Sequence, residues 1–395
     1  MKRSLACWIL LAALLLSGCG SGLFDAEYLV ETTYEPVLSI SAAERGDTTV
    51  ATLDELKDVL LTMVAGGETT RRIVFDPTYA GDVSGDMASA CWQVRTQDAL
   101  CAYCVENIAY ELSKIVNYYE AIVTVRYSEA ADAVESIVRL PYAADAGELI
   151  RQTMAEGQAE LILLSEFSSY SKEDMEDFVR QVYRETPAIV PQEPLVQVDL
   201  FSGAGNQRLY AFRFDYGMDA QTLAARQAEL SALDFFSDAE TSGLGEAERA
   251  LLACETLITR CRFDGEAEDS VYAALTGPRA GSLGMAFAYV ELCRQLGLNC
   301  KVIDGQYNRL DHSWNLIEID GAYYHVDPAA CSLYGLESGF LLNDETAWGP
   351  YRWDYFAYPH SSGTLSYADL AEAGVVSREN ARRSNSRGGP PGFPS

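Results

Sequence analysis

The sequence predicts an α+β protein made of two tandem αβαββ modules followed by a larger α+β core. Three observations carry this. The order helix, strand, helix, strand, strand reads twice between residues 52 and 216. Residues 283 to 296 are apolar almost all round and stop at Gly297, as a buried helix does. Asp320-Gly321 joins two β-rich runs, the strongest short signal for a hairpin.

From the N-terminus, Met1-Lys2-Arg3 precedes an apolar run, Leu5 to Leu16, that is too short to span a bilayer. Leu16-Ser17-Gly18-Cys19 follows and resembles a bacterial lipobox. Residues 1–18 are therefore expected to be a signal peptide, and Cys19 the lipid-modified residue that anchors the mature chain. That places the protein at a bacterial cell membrane, on its extracytoplasmic face. Residues 19–48 read as a tether.

Module 1, residues 49–143, is expected to start with a helix capped by Thr52-Leu-Asp-Glu55 and a strand at Arg72-Ile-Val-Phe75. A helix from Val105 to Tyr119 and strands Ala121–Tyr127 and Ala133–Leu140 then follow. Module 2 and its connector, residues 144–240, repeat the order. A helix at Glu148–Glu156 leads to the strand Glu160–Leu164 and a helix capped by Ser171-Lys-Glu-Asp174, then the strands Leu195–Phe201 and Arg208–Tyr216. Nothing in either module reads as catalytic.

Residues 241–370 hold the core. A helix from Ala247 to Cys261 carries Leu251, Leu252, Cys254, Leu257 and Ile258 on one stripe. The buried helix begins at Gly281-Ser282-Leu283-Gly284. A two-residue loop at Asp320-Gly321 pairs Ile319 with Ala322 and puts Trp314 opposite Asp327. Counting by twos, His312, Trp314, Leu316 and Glu318 share a face with Tyr323, His325 and Asp327, while Ile317, Ile319, Tyr324 and Val326 take the other. His312 and Asp327 become diagonal neighbours, close enough for an imidazole to meet a carboxylate.

The run Gly281-Ser282-Leu283-Gly284 with its helix, the His312-x-Trp314-Asn315 strand and Asp327-Pro328 resembles the catalytic core of the transglutaminase-like superfamily, which has a papain-like fold. The Gly339–Leu342 and Tyr351-Arg352-Trp353-Asp354 stretches add to the likeness, which covers roughly residues 245 to 365. The resemblance implies a site of Ser282, His312 and Asp327 with Trp314 and Gly284 in the cleft, and Ser282 stands where the family has its nucleophilic Cys.

Ser282 is open to two readings. It serves as a helix N-cap, or it acts as a nucleophile with His312 as base and Asp327 as orienter. A serine gains little from a helix N-terminus, because its hydroxyl ionises far above neutrality, whereas a cysteine there is held as thiolate. His312 and Asp327 read as a retained pair. His325, on the same face, reads as a solvent or packing residue, and His360 as a loop residue. No set of side chains has metal-ligand spacing, and neither a metal nor another cofactor is expected.

Of the ten cysteines, Cys7 leaves with the signal and Cys19 is acylated. Cys101-Ala-Tyr-Cys104 suits a local disulfide or two core thiols better than a redox motif, since no βαβ context surrounds it. Cys254 and Cys261 lie on one helix and cannot bridge each other. The formal charge of −29 becomes −31 once Lys2 and Arg3 are removed, which argues against nucleic-acid binding. Residues 371–395 are Gly/Pro-rich, polar and expected to be disordered.

These readings converge on a membrane-anchored extracytoplasmic lipoprotein. Its core is expected to be a pseudoenzyme that binds a peptide or a cell-envelope ligand, a peptide partner being basic. The alternative is an active amidase, peptidase or acyltransferase working through Ser282, His312 and Asp327.

Overall fold

A computed structural model describes residues 48–128, 134 and 136–374, with the backbone of 32–33. The expected signal peptide, Cys19, nearly all of the expected tether and residues 375–395 lie outside the described residues. The chain divides into two compact units, residues 1–136 and 137–395.

In the first unit, β1 (Thr32–Thr33) and β2 (Thr48–Val50) are followed by α1 (Leu53–Ala65), β3 (Thr70–Phe75), α2 (Val83–Gln97), α3 (Ala99–Cys104), β4 (Val105–Ile115) and β5 (Tyr118–Tyr127). The sheet order is β1-β4-β5-β3-β2. In the second, β6 (Val138–Tyr142), α4 (Gly147–Ala155), β7 (Glu160–Phe167), α5 (Lys172–Glu185), β8 (Leu195–Ser202) and β9 (Arg208–Asp215) form a sheet ordered β6-β7-β9-β8. Strands 2-3-5-4 of one copy thus match 6-7-9-8 of the other, each with its first pair parallel.

The loops repeat as well. Glu68 N–H donates to Met63 O as Gln158 N–H does to Thr153 O, over a left-handed Gly67 or Gly157. The Tyr127 and Tyr216 hydroxyls donate to Glu68 O and Gln158 O, at 2.7 and 2.8 Å.

Four expectations for this region are corrected. The repeat is βαβαββ, and the strand that opens the first copy, β2, was not expected. The strand expected at Ala133–Leu140 to close module 1 is β6, which opens the second copy. The helix expected over Val105–Tyr119 is strand β4 running into β5: Ile108, Tyr110 and Leu112 are buried, while Glu111 between them is exposed. The missing helix is α2, whose buried Met87, Ala90, Cys91 and Val94 fall at helical spacing. Its small residues and Gly85 weaken that signal. Cys91 accordingly sits in a helix.

Module 2 is not separate from the core. It shares one buried cluster with it, in which Val198, Tyr210 and Phe212 join Phe287 and Tyr289, and Tyr183 of α5 meets Phe287 edge-on at 5.1 Å. After α6 (Ala220–Ser231), the core comprises α7 (Glu246–Arg260), β10 (Arg262–Phe263), α8 (Val271–Thr276), β11 (Arg279–Ala280), α9 (Ser282–Gln295), β12 (Cys300–Tyr307), β13 (Leu310–Ile319), β14 (Ala322–Val326), α10 (Pro328–Tyr334), β15 (Phe340–Leu342) and β16 (Tyr351–Trp353).

The antiparallel sheet β15-β14-β13-β12-β16 carries α9 on one face. Asp320 (φ 50°) and Gly321 (φ 79°) make the left-handed two-residue turn that joins β13 to β14. Ile319 pairs with Ala322 and Asn315 with Val326, the expected register. The two faces separate accordingly. Ile317, Ile319, Tyr324 and Val326 pack with α9, while Trp314 and Leu316 form a second cluster with Ile303, Tyr307 and Tyr351.

Among the described residues no helix is long and apolar enough to cross a membrane, and all eight cysteines are free thiols. Cys101 and Cys104 are buried in and at the end of α3, and burial pushes the Cys104 thiol up to about 12 and Cys101 further. They are two core thiols, not a reactive motif.

Candidate active site

Ser282 opens α9 as its first helical residue. Gly281 is the N-cap and contributes no side-chain cap, so the expected capping role of Ser282 is off by one position. The Ser282 Oγ instead accepts from the Ser313 N–H at 3.3 Å. That amide is two bonds from the His312 Cα, so the hydroxyl lies within about 6 Å of it by standard backbone dimensions.

Asp327 follows β14 and caps α10. Its Oδ1 accepts from Ala330 N–H at 2.9 Å, and its Oδ2 lies 2.7 Å from His312 Nε2 and accepts from the Tyr351 hydroxyl at 2.8 Å. Burial alone would raise this carboxyl. The charge and hydrogen bond of His312, with the bonds from Ala330 and Tyr351, outweigh burial and hold it below the usual carboxylate range. The His312 ring sits among aromatic rings, stacked on Trp314 at 6.1 Å and flanked by Tyr307 at 5.7 Å and Phe263 at 6.4 Å.

Trp314 and Gly284 support the site from inside rather than line an open surface. Trp314 has no exposed area, and its indole N–H donates to His325 Nδ1 at 3.0 Å. A side chain at Gly284 would meet Ser270 O at 2.5 Å. His325 is 2% exposed, so it is not a solvent residue. Its Nε2 faces Asp344 at 2.9 Å, and burial, the larger effect, lowers its pKa against the pull of Asp344. His360 stacks on Tyr355 at 4.3 Å and lies 3.8 Å from Asp344. Among the described residues no group of three or more His, Cys, Asp or Glu side chains is arranged to hold a metal ion.

Asp269 was not read as a site residue. Its Oδ1 accepts from Gly284 N–H at 2.7 Å, and Leu283 N–H also bonds the carboxylate. Much of the residue is accessible, but its carboxyl end lies against the start of α9. Burial raises its pKa, while these amides and the charge of His312 lower it. A side chain at Gly281 would come within 2.3 Å of the Asp269 Cγ. Glycines on both sides of Ser282 are what allow Asp269-Ser270 to close on the helix.

Three side chains continue from the residue whose amide meets the hydroxyl. Ser313 Oγ donates to Asp304 at 3.0 Å, and Asp304 pairs with Arg184 of α5 at 2.7 Å. Module 2 thus braces the strand that touches Ser282.

No protein-family model matches this chain, and no curated protein matches it. Among solved structures it is similar to a candidate cysteine protease from Cytophaga hutchinsonii, at 12% identity and TM-score 0.20, over 39% of this chain and 67% of that one. It is also similar to a transglutaminase, at 9% identity and TM-score 0.19, over 67% of this chain and 77% of the other. Neither likeness bears on the site, whose chemistry rests on its own geometry.

Proposed function

We propose that this chain is an extracytoplasmic lipoprotein whose C-terminal unit carries a transglutaminase-like site that no longer performs acyl transfer and binds a peptide or cell-envelope ligand. One observation carries the reading. The helix start that would serve a nucleophile holds a serine, and its next amides, Leu283 and Gly284, are bonded to the Asp269 carboxylate. Those donors are spent on a carboxylate of the chain itself instead of standing open to an oxyanion. The serine oxygen already accepts a main-chain N–H. The His312–Asp327 pair then holds β13, β14 and α10 together. An active site would instead need Nδ1 of His312 to take the Ser282 proton while Nε2 stays on Asp327.

The test is chemical. In Ser282→Cys, the helix N-terminus and His312 favour the thiolate, and the Asp269 carboxylate opposes it. Iodoacetamide at neutral pH is expected to label Cys at 282 about threefold faster in Ser282→Cys/Asp269→Asn than in Ser282→Cys, because a thiol pKa lower by roughly one unit gives about ten times more thiolate of lower nucleophilicity. Equal rates would mean that Asp269 does not govern the helix start.

The anchor is tested apart. Cys19→Ala should release the chain from membranes or block its processing, and labelled palmitate should enter only the wild type. A processed Cys19→Ala protein that stays membrane-bound through a high-salt wash would exclude the lipoprotein reading.

A further inference from the structure

The two βαβαββ copies differ at one corner. In the second copy, Ser168 N–H donates to Asn206 O of the β8–β9 loop at 2.9 Å. The Tyr210 hydroxyl reaches Tyr170 O at 2.8 Å and Ser168 Oγ at 2.6 Å, and Ser171 with Asp174 makes a complete capping box on α5. That corner is filled by its own chain.

In the first copy the β4–β5 hairpin is tighter. Ile115 pairs with Tyr118, where the second copy spends five residues, 203–207, between its strands. Among the described residues the short turn makes no such bond to the β3–α2 loop, and Asp82 at the start of α2 makes no side-chain cap. A cleft of about 340 Å³ remains, lined by Asp76, Asp82, Tyr79, Asn117, Tyr118 and Tyr119 among others. This volume falls at the lower end of the usual range for ligand sites, roughly 300–1,000 Å³.

The lining chemistry narrows the ligand. Hydrogen bonds from the Thr78 hydroxyl and N–H hold Asp76 below the usual carboxylate range, so it offers acceptors and repels anions. The fifteen-residue α2 begins at the same space, where Val83 and Ser84 line the cleft, and its free first-turn amides add donors. Tyrosine rings supply flat faces with hydroxyl groups at their tips. Acceptors, donors and aromatic faces together suit a ring bearing many hydroxyls, and two carboxylates with no basic side chain among the lining residues disfavour an anion.

We propose that this cleft of the first unit binds a neutral saccharide. One tyrosine ring of the lining stacks on its C–H face, and Asp76, Asp82 and Asn117 take its hydroxyls. The inference does not rest on the reading of Ser282.

The experiment uses the full chain and saturation-transfer NMR with neutral oligosaccharides of the hexose and N-acetylhexosamine series, with inorganic phosphate and free lysine as charged controls. Transfer is expected from at least one neutral series and from neither control. Affinity should fall at least tenfold in Asp76→Asn and in Asn117→Ala, the latter an exposed turn residue whose loss spares the fold, and should be unchanged in Ser282→Ala. No transfer from any neutral saccharide, preferential transfer from a charged control, wild-type affinity in both cleft variants, or loss of binding in Ser282→Ala would each overturn the proposal.

Discussion

Asp327→Ala is expected to destabilise the second unit by about 4 kcal/mol, because it leaves three buried donors without their acceptor. The His312 ring, the Tyr351 hydroxyl and the Ala330 amide all converge on this one carboxylate, and the side chain is 1% exposed. Solvent cannot replace it without opening the sheet. Asp327→Asn should lose less, since an amide oxygen can still accept. Guanidinium unfolding followed by tryptophan fluorescence in a Trp92→Phe background isolates the second unit, which holds Trp314, Trp348 and Trp353. A loss under 1 kcal/mol for the alanine variant would mean that the carboxylate is not the common anchor of β13, β14 and α10.

The same substitution has a pH signature. Asp327 has a depressed folded-state pKa, so its contribution is fully present above the unfolded carboxylate value of about 3.9 and is lost as pH falls through the folded value. His325 also has a lowered pKa, but from an unfolded value of about 6.5. Its neutral form is the folded one, and its contribution fades as pH falls below that value. Acid weakening that begins near pH 6 should therefore survive in Asp327→Ala, while the further loss below about pH 4 should shrink.

What could be read from the sequence was local or periodic. A two-residue loop at Asp320-Gly321 fixes its register by backbone geometry alone, and counting by twos from it brings His312 to Asp327. The helix from Ser282 was legible because a helix apolar on all sides has one environment to occupy. β4 was lost because its period of two is broken by a register shift between Val105 and Asn107, leaving spacings that also fit a helix. Asp269 left no signal: it reaches an amide fifteen residues ahead, and only the packing of two glycines against it reveals the contact. Module 2 read as one of two tandem modules ahead of the core because its apolar face is the same whether covered by neighbours of its own or, as here, by Phe287 and its surroundings.

The largest functional effect concerns Ser282 itself. Removing a working nucleophile abolishes turnover by several orders of magnitude. Removing a serine whose oxygen only accepts the Ser313 N–H should change nothing but a weak hydrogen bond. The decisive measurement is mass-spectrometric detection of product when the wild type and Ser282→Ala are each incubated with glutamine-containing peptides and a primary amine, and with the peptides alone. The two proteins are expected to be indistinguishable from buffer in both transfer and hydrolysis. Product formed by the wild type and absent with Ser282→Ala would contradict the non-catalytic reading and make Ser282, His312 and Asp327 a working triad.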